Sequence, residues 1–190
     1  MSKTSSDEIL HAARLKAQAH GYTGLNIRAL ADEVGIKAAS IYYHFASKAD
    51  LGAAVAQRYW EDTARDLHAI RETEGDALNS LIRYPHIFRR SLESENRLCM
   101  VSFMSAEYDD LPDKVKTEVQ KFADINVAWL NTQLQDAGIC QPGDGETRAR
   151  AIFSAIAGAQ LMARSRNDIG LFDELIMGYS QAGLLPSARI

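Results

Sequence analysis

The sequence predicts an all-α protein of about nine helices: an N-terminal three-helix domain followed by a larger C-terminal helical bundle. Three observations predict it. Only four prolines occur in 190 residues. Apolar residues recur at i, i+3, i+4 and i+7 through most of the chain, and the period-2 alternation of a half-buried strand is scarce. Turn signals such as Leu111-Pro112 and Gly138 separate those periodic stretches.

The first helix is expected from near Ser6 to Gly21, with Ser5 and Glu8 at the spacing of a capping box and Gly21 as the stop. Asn26 is the expected N-cap of the second, whose Ile27, Leu30, Ala31 and Val34 form one apolar stripe that Gly35 ends. A short third helix follows over about Lys37 to Phe45, with Ile36, Ile41 and Phe45 inward. Ser47 and Asp50 again have capping-box spacing and open a long fourth helix to about Arg71. Further helices are expected at about 76–94, 97–108, 113–137, 145–166 and 168–183, separated by Leu111-Pro112, by Gly138 with the turn 141–145, and by Asn167. The domain division is expected at 1–48 and 49–190.

Composition bounds the function. Hydrophobic residues at 46% and charged residues at 24% exclude a disordered chain. No apolar run approaches the roughly 20 residues that cross a bilayer, and the N-terminus lacks a signal-peptide layout, so a cytoplasmic protein without a membrane partner is expected. Two cysteines, Cys99 and Cys140, do not make a disulfide framework. The net charge is −4, but residues 1–48 hold six Lys/Arg against four Asp/Glu, or +2, which leaves −6 on the remainder. A mildly basic head on an acidic body suits a DNA partner.

Helix, glycine turn and short helix make a helix-turn-helix, in which the second helix braces and the third enters a major groove. Small residues at the start of the third helix let its backbone approach base edges. Ala38 and Ala39 suit thymine methyls, Ser40 can donate or accept, and Lys37 and Tyr43 are exposed beside them. Tyr42, His44 and Lys48 carry polar tips suited to phosphate oxygens. Tyr42 and Tyr43 are adjacent, so at least one must be exposed. Arg28 either reaches a phosphate or only solvates its face.

The run from Ala31 to Lys48, through Gly35, Ile36, Ser40, Ile41, Tyr42, Tyr43, His44 and Phe45, resembles the DNA-binding domain of the TetR family of bacterial regulators. Gly21-Tyr22 and the Asn26 cap match its first loop. The resemblance covers residues 8 to about 55. Two features depart from the pattern: Lys16 and Ala17 stand where bulky apolar residues are usual, and Asn26 replaces a Thr or Ser cap. The resemblance implies an all-helical homodimer that binds a palindromic double-stranded operator. It also implies that the protein represses, and releases DNA when a small-molecule effector enters the C-terminal domain.

In that domain Tyr84, Phe88, Cys99, Met100, Phe103, Met104, Asn126 and Trp129 are the expected effector pocket, because soft and aromatic side chains line adaptable sites. The same residues also fill helical cores. Cys99 resembles a cysteine position in the effector region of some relatives, with a buried inert thiol as the alternative. Asn126 and Gln160 lie on apolar faces and must find partners. Ile152, Phe153, Ile156, Gln160, Phe172 and Ile176 on the last two helices are the expected dimer interface. No cofactor or metal site is expected. Neither a nucleophile elbow nor a phosphate loop occurs, and the five histidines lack zinc spacing, so an enzyme is the weaker alternative. A helical interaction protein without DNA binding is the other, and it leaves the polar third helix unexplained.

Overall fold

The computed structural model describes residues 6–187, so the expected cap at Ser5 lies outside the described residues. They form ten α-helices and one 3-10 turn, with no strand among them. The helices are α1 (Ser6–His20), α2 (Ile27–Val34), α3 (Ala38–His44), α4 (Lys48–Glu74), α5 (Ala77–Arg83), α6 (His86–Glu93), α7 (Met100–Ala106), α8 (Asp113–Asp136), α9 (Gly145–Arg166) and α10 (Ile169–Gln181); the 3-10 turn is Tyr108–Asp110.

The local chemistry explains most boundaries. The Asn26 Oδ1 accepts the Arg28 and Ala29 amides at 3.0 and 3.1 Å and caps α2. Gly35 closes α2 at φ +75, where its amide and that of Ile36 turn back to the Ala31 carbonyl. A side chain there would strain the backbone, so the glycine sets the angle at which α3 leaves. At α4 the Ser47 hydroxyl accepts the Asp50 amide at 3.1 Å and donates to the Asp50 carboxylate at 2.7 Å, a reciprocal cap. The ion-paired hydrogen bond from Lys114, with the Ser47 hydroxyl second, holds the Asp50 carboxyl below its ordinary range.

Two expected helices differ. The one expected over 76–94 is divided into α5 and α6 at Pro85, which has no amide to donate and whose ring crowds the preceding turn. The one expected over 97–108 is shortened to Met100–Ala106, because Glu95 and Asn96 adopt left-handed backbone and the Cys99 amide bonds the Gln160 side chain instead of a helical carbonyl.

The chain forms two compact units, neither continuous in sequence: residues 1–61 with 100–122, and residues 62–99 with 123–190. Helices α4 and α8 contribute to both. In the first unit α1 packs on α2 and α7, and α2 on α3. Its core includes Ile9, Ala13, Ala17, Leu25, Leu30, Ile41, Leu51 and Val55, all buried. Ala17 is fully buried and Lys16 pairs with Glu33 of α2 at 2.7 Å, so a close small-residue contact and an ion pair stand where the family uses bulk. In the second unit α9 packs on α10 and α6 around Leu81, Phe88, Leu92, Ile152, Ile156 and Phe172.

Candidate nucleic-acid interface

Helix α3 is held by few residues and presents many. Ile41 is fully buried and Phe45 nearly so, and these two anchor the helix. The remainder of its surface faces solvent: Lys37, Ala39, Ser40 and His44 are exposed and Ala38 half-buried, while Tyr42 and Tyr43 are 52% and 76% exposed. Adjacency required one tyrosine to be outside, and both are. Their position is not a failure of burial, because a seven-residue helix with one inward anchor leaves the flanking positions 42 and 43 on the open side. The Tyr43 ring meets His44 edge-on at 5.2 Å. Arg28 is exposed in the first turn of α2. Of the expected DNA-contacting residues, Lys37, Ala39, Ser40, Tyr42, Tyr43 and His44 are exposed on or beside α3, Arg28 is exposed on the bracing helix, and Ala38 is half-buried.

Lys48 sits differently from its neighbours. It is half-buried, its ammonium lies 4.5 Å from the centre of the Tyr22 ring, and it donates to the Thr23 carbonyl at 3.3 Å. It therefore ties the loop after α1 to the start of α4 as well as carrying charge at the edge of the head.

The loop after α1 has a second tether that the sequence did not reveal. Glu107, just beyond α7, accepts the Tyr22 amide at 2.5 Å, the Thr23 amide at 3.2 Å and the Thr23 hydroxyl at 2.5 Å. These partners are 84 and 85 residues apart, so no local pattern could have shown them.

The expected effector residues fall in both units. Met100, Phe103 and Met104 belong to the first, where Met100 and Met104 are fully buried and Phe103 half-buried. Tyr84, Phe88, Cys99, Asn126 and Trp129 belong to the second. There the buried Tyr84 hydroxyl donates to Asn126 Oδ1 at 2.8 Å, and Tyr84 stacks on Trp129 at 5.6 Å and meets Phe88 at 5.9 Å. Burial raises the Tyr84 phenol well above its ordinary range, so it is a fixed donor to Asn126. Cys99 is buried, which favours the inert-thiol reading.

The expected interface residues turn mostly inward. Ile152, Ile156, Gln160 and Phe172 are buried within their own chain. Gln160 accepts the Cys99 amide at 2.9 Å and donates to the Phe88 carbonyl at 2.6 Å, so the protein itself supplies the partners its position demanded. Phe153 and Ile176 are half-buried. A side chain with no exposed surface has nothing to offer a partner. The large apolar residues of α9 and α10 left outside are Leu161, Met162 and Met177, none of them among the expected interface residues. A signal existed: Ala151, Ser154, Ala155, Gly158, Leu161, Met162 and Ser165 are helically spaced along α9 without a charge.

Among the described residues no helix is long and apolar enough to cross a membrane, and no group of three or more His, Cys, Asp and Glu side chains could hold a metal ion. Residues 9–55 match the family model for bacterial regulatory proteins of the tetR family. An HTH-type transcriptional repressor, AcnR of Corynebacterium diphtheriae, is 38% identical over 65 residues, 34% of this chain. The aligned stretch spans 33% of that relative's length. A TetR transcriptional regulator from Legionella pneumophila matches with a TM-score of 0.87 and 26% identity over 96% of this chain and 99% of its own. A TetR-family regulator from Agrobacterium tumefaciens matches with a TM-score of 0.85 and 25% identity over 93% and 95%. The helix-turn-helix segment is thus similar in sequence to the tetR family of bacterial regulatory proteins, and the whole fold is similar to that of TetR-family transcriptional regulators.

Proposed function

We propose that this protein is a homodimeric, sequence-specific DNA-binding repressor that a small-molecule effector releases from a palindromic operator. The observation that carries the reading is α3, which leaves Lys37, Ala39, Ser40, Tyr42, Tyr43 and His44 in solvent on a helix anchored by Ile41 and Phe45. Tyrosines exposed on such a helix are suited to a groove and its phosphates. The relative AcnR is named a repressor, which supports the same direction of control.

The uncharged stripe of α9 with Leu161 and Met162, together with Met177 of α10, supports a dimer through these two helices. Alanine and glycine along the stripe let two helices approach closely. Two-fold symmetry then sets two recognition helices about one helical turn of DNA apart, roughly 34–36 Å, and asks for a palindrome. The effector is proposed to act on the second unit, at the Tyr84, Phe88, Asn126 and Trp129 cluster, where an apolar molecule with one polar group can replace the Tyr84–Asn126 bond. Release requires that it prefer a state the operator does not fit.

The test is selection of duplexes from a random-sequence pool with the full-length protein. The expected result is enrichment of one inverted repeat, bound with strong salt dependence. Enrichment of no sequence would overturn the reading. Within the same assay, Lys48→Ala is expected to weaken both the selected duplex and a random duplex, because a phosphate contact carries no base information, and to weaken the selected one somewhat further because its hold on the Thr23 carbonyl is lost. Altered base preference at unchanged affinity would assign Lys48 to base reading instead.

A further inference from the structure

The head is held at one point by a residue far along the chain. Glu107 closes the loop after α1 with three hydrogen bonds to Tyr22 and Thr23. Its own backbone is fixed on both sides: its amide donates to the Met104 carbonyl at 3.0 Å, and its carbonyl accepts the Asp110 amide at 2.9 Å. Met104 is fully buried, so the carboxylate projects from a rigid platform. The loop is shaped to receive it. Gly21 has φ +68, and a Cβ built there would overlap the Glu107 carboxylate, so position 21 must lack a side chain for this contact to exist. On the other side of the loop, Lys48 covers the Tyr22 ring and holds the Thr23 carbonyl. Glu107 thus holds the amides of Tyr22 and Thr23, and Lys48 holds the Thr23 carbonyl and the Tyr22 ring.

From this geometry we infer that Glu107 is a positioning residue for DNA binding: it clasps the loop between α1 and α2 to the end of α7, and so fixes the orientation in which α2 and α3 are presented. The inference rests on the DNA-binding reading above and adds a residue outside the helix-turn-helix to it. A carboxylate suits the role because it accepts several donors at once and offers none, whereas a neutral amide would set its own N–H against a loop N–H. Freed from the clasp, the loop samples other orientations, and operator affinity falls with the fraction of heads held correctly.

The experiment uses the full-length protein, a duplex selected by the wild type from a random-sequence pool, and a random duplex of equal length. Glu107→Ala is expected to weaken the selected duplex about tenfold, as when about a tenth of heads remain competent, and to change the random duplex much less. Glu107→Gln, which keeps one acceptor, is expected to fall between the two. Thr23→Ala is expected to weaken binding modestly, and to weaken it less in the Glu107→Ala background, where the Thr23 hydroxyl keeps only its bond to the His20 carbonyl. A merely structural role would lower the unfolding temperature without lowering the selected-to-random ratio. The Tyr22 and Thr23 amides of Glu107→Ala are also expected to exchange with deuterium faster while α3 keeps its protection. A wild type that enriches duplexes alongside a Glu107→Ala protein of equal selectivity would overturn this inference. A wild type that enriches none would overturn the DNA-binding reading beneath it. Should Glu107→Ala fail to fold, the Glu107→Gln and Thr23→Ala proteins carry the same comparison.

Discussion

Replacing Ile156 by aspartate is expected to unfold the second compact unit rather than merely separate a dimer. Ile156 has no exposed surface in the single chain and lies on α9 with Ile152, Ala159 and Gln160, which are equally buried. A carboxylate placed there loses its hydration and gains no cation, so it must take up a proton at neutral pH. Raising a carboxyl pKa by about 3–5 units costs about 4–7 kcal/mol, close to the whole stability of an ordinary domain at about 5–15 kcal/mol. The expected reading is loss of the cooperative thermal transition at neutral pH, with recovery as the pH falls toward about 4, below which the carboxyl is protonated in the unfolded chain too and the folded state is no longer penalised. Leu161→Asp is the contrasting substitution. Leu161 is 57% exposed in the single chain, so a charge there leaves the fold intact. If α9 meets its symmetry mate along this stripe, that protein should keep its helicity and sediment as a monomer at micromolar concentration while the wild type sediments as a dimer. A Leu161→Asp protein that stays dimeric would move the interface elsewhere, and an Ile156→Asp protein as stable as the wild type would contradict the burial itself.

The second large effect is expected at the exposed tyrosines of α3. Tyr42 and Tyr43 contribute little to the core, being 52% and 76% exposed, so Tyr42→Ala/Tyr43→Ala should unfold within a few degrees of the wild type. Each hydroxyl bonded to a phosphate is worth about 0.5–1 kcal/mol, and a dimer presents two copies of each. The double substitution should therefore weaken the selected duplex by about 2–4 kcal/mol, between about thirtyfold and a thousandfold. Titration at fixed ionic strength checks it, because phosphate contacts make affinity steeply salt-dependent. Unchanged affinity would remove the tyrosines from the interface and leave Lys37, Ser40 and Arg28 to carry it. A fall in unfolding temperature equal to the affinity loss would instead make them structural.

The helix-turn-helix was legible because everything that builds it is local. Asn26 caps within three residues, Gly35 turns within five, and the buried Ile27, Leu30, Ala31, Ile41 and Phe45 follow from helical spacing, whereas Val34 and Ile36, also expected inward, are half-buried at the ends of their helical stripes. The same locality holds for the reciprocal cap of Ser47 and Asp50 at the start of α4. The break between α5 and α6 at Pro85 is equally local, a backbone effect of one residue. What the tertiary structure decided is of another kind. Periodicity marks an apolar stripe on α9 but does not say whether that stripe meets its own chain or a second copy, because both burials have the same pattern. Only packing on α6 and α10 assigned Ile152, Ile156 and Gln160 to the interior and left Leu161, Met162 and Met177 outside. Gln160 found its partners in Cys99 and Phe88, 61 and 72 residues away, and Glu107 found its own in Tyr22 and Thr23, 85 and 84 residues away. A polar side chain advertises that it needs a partner, but which partner depends on how distant segments are folded together, and no spacing along the chain encodes that distance.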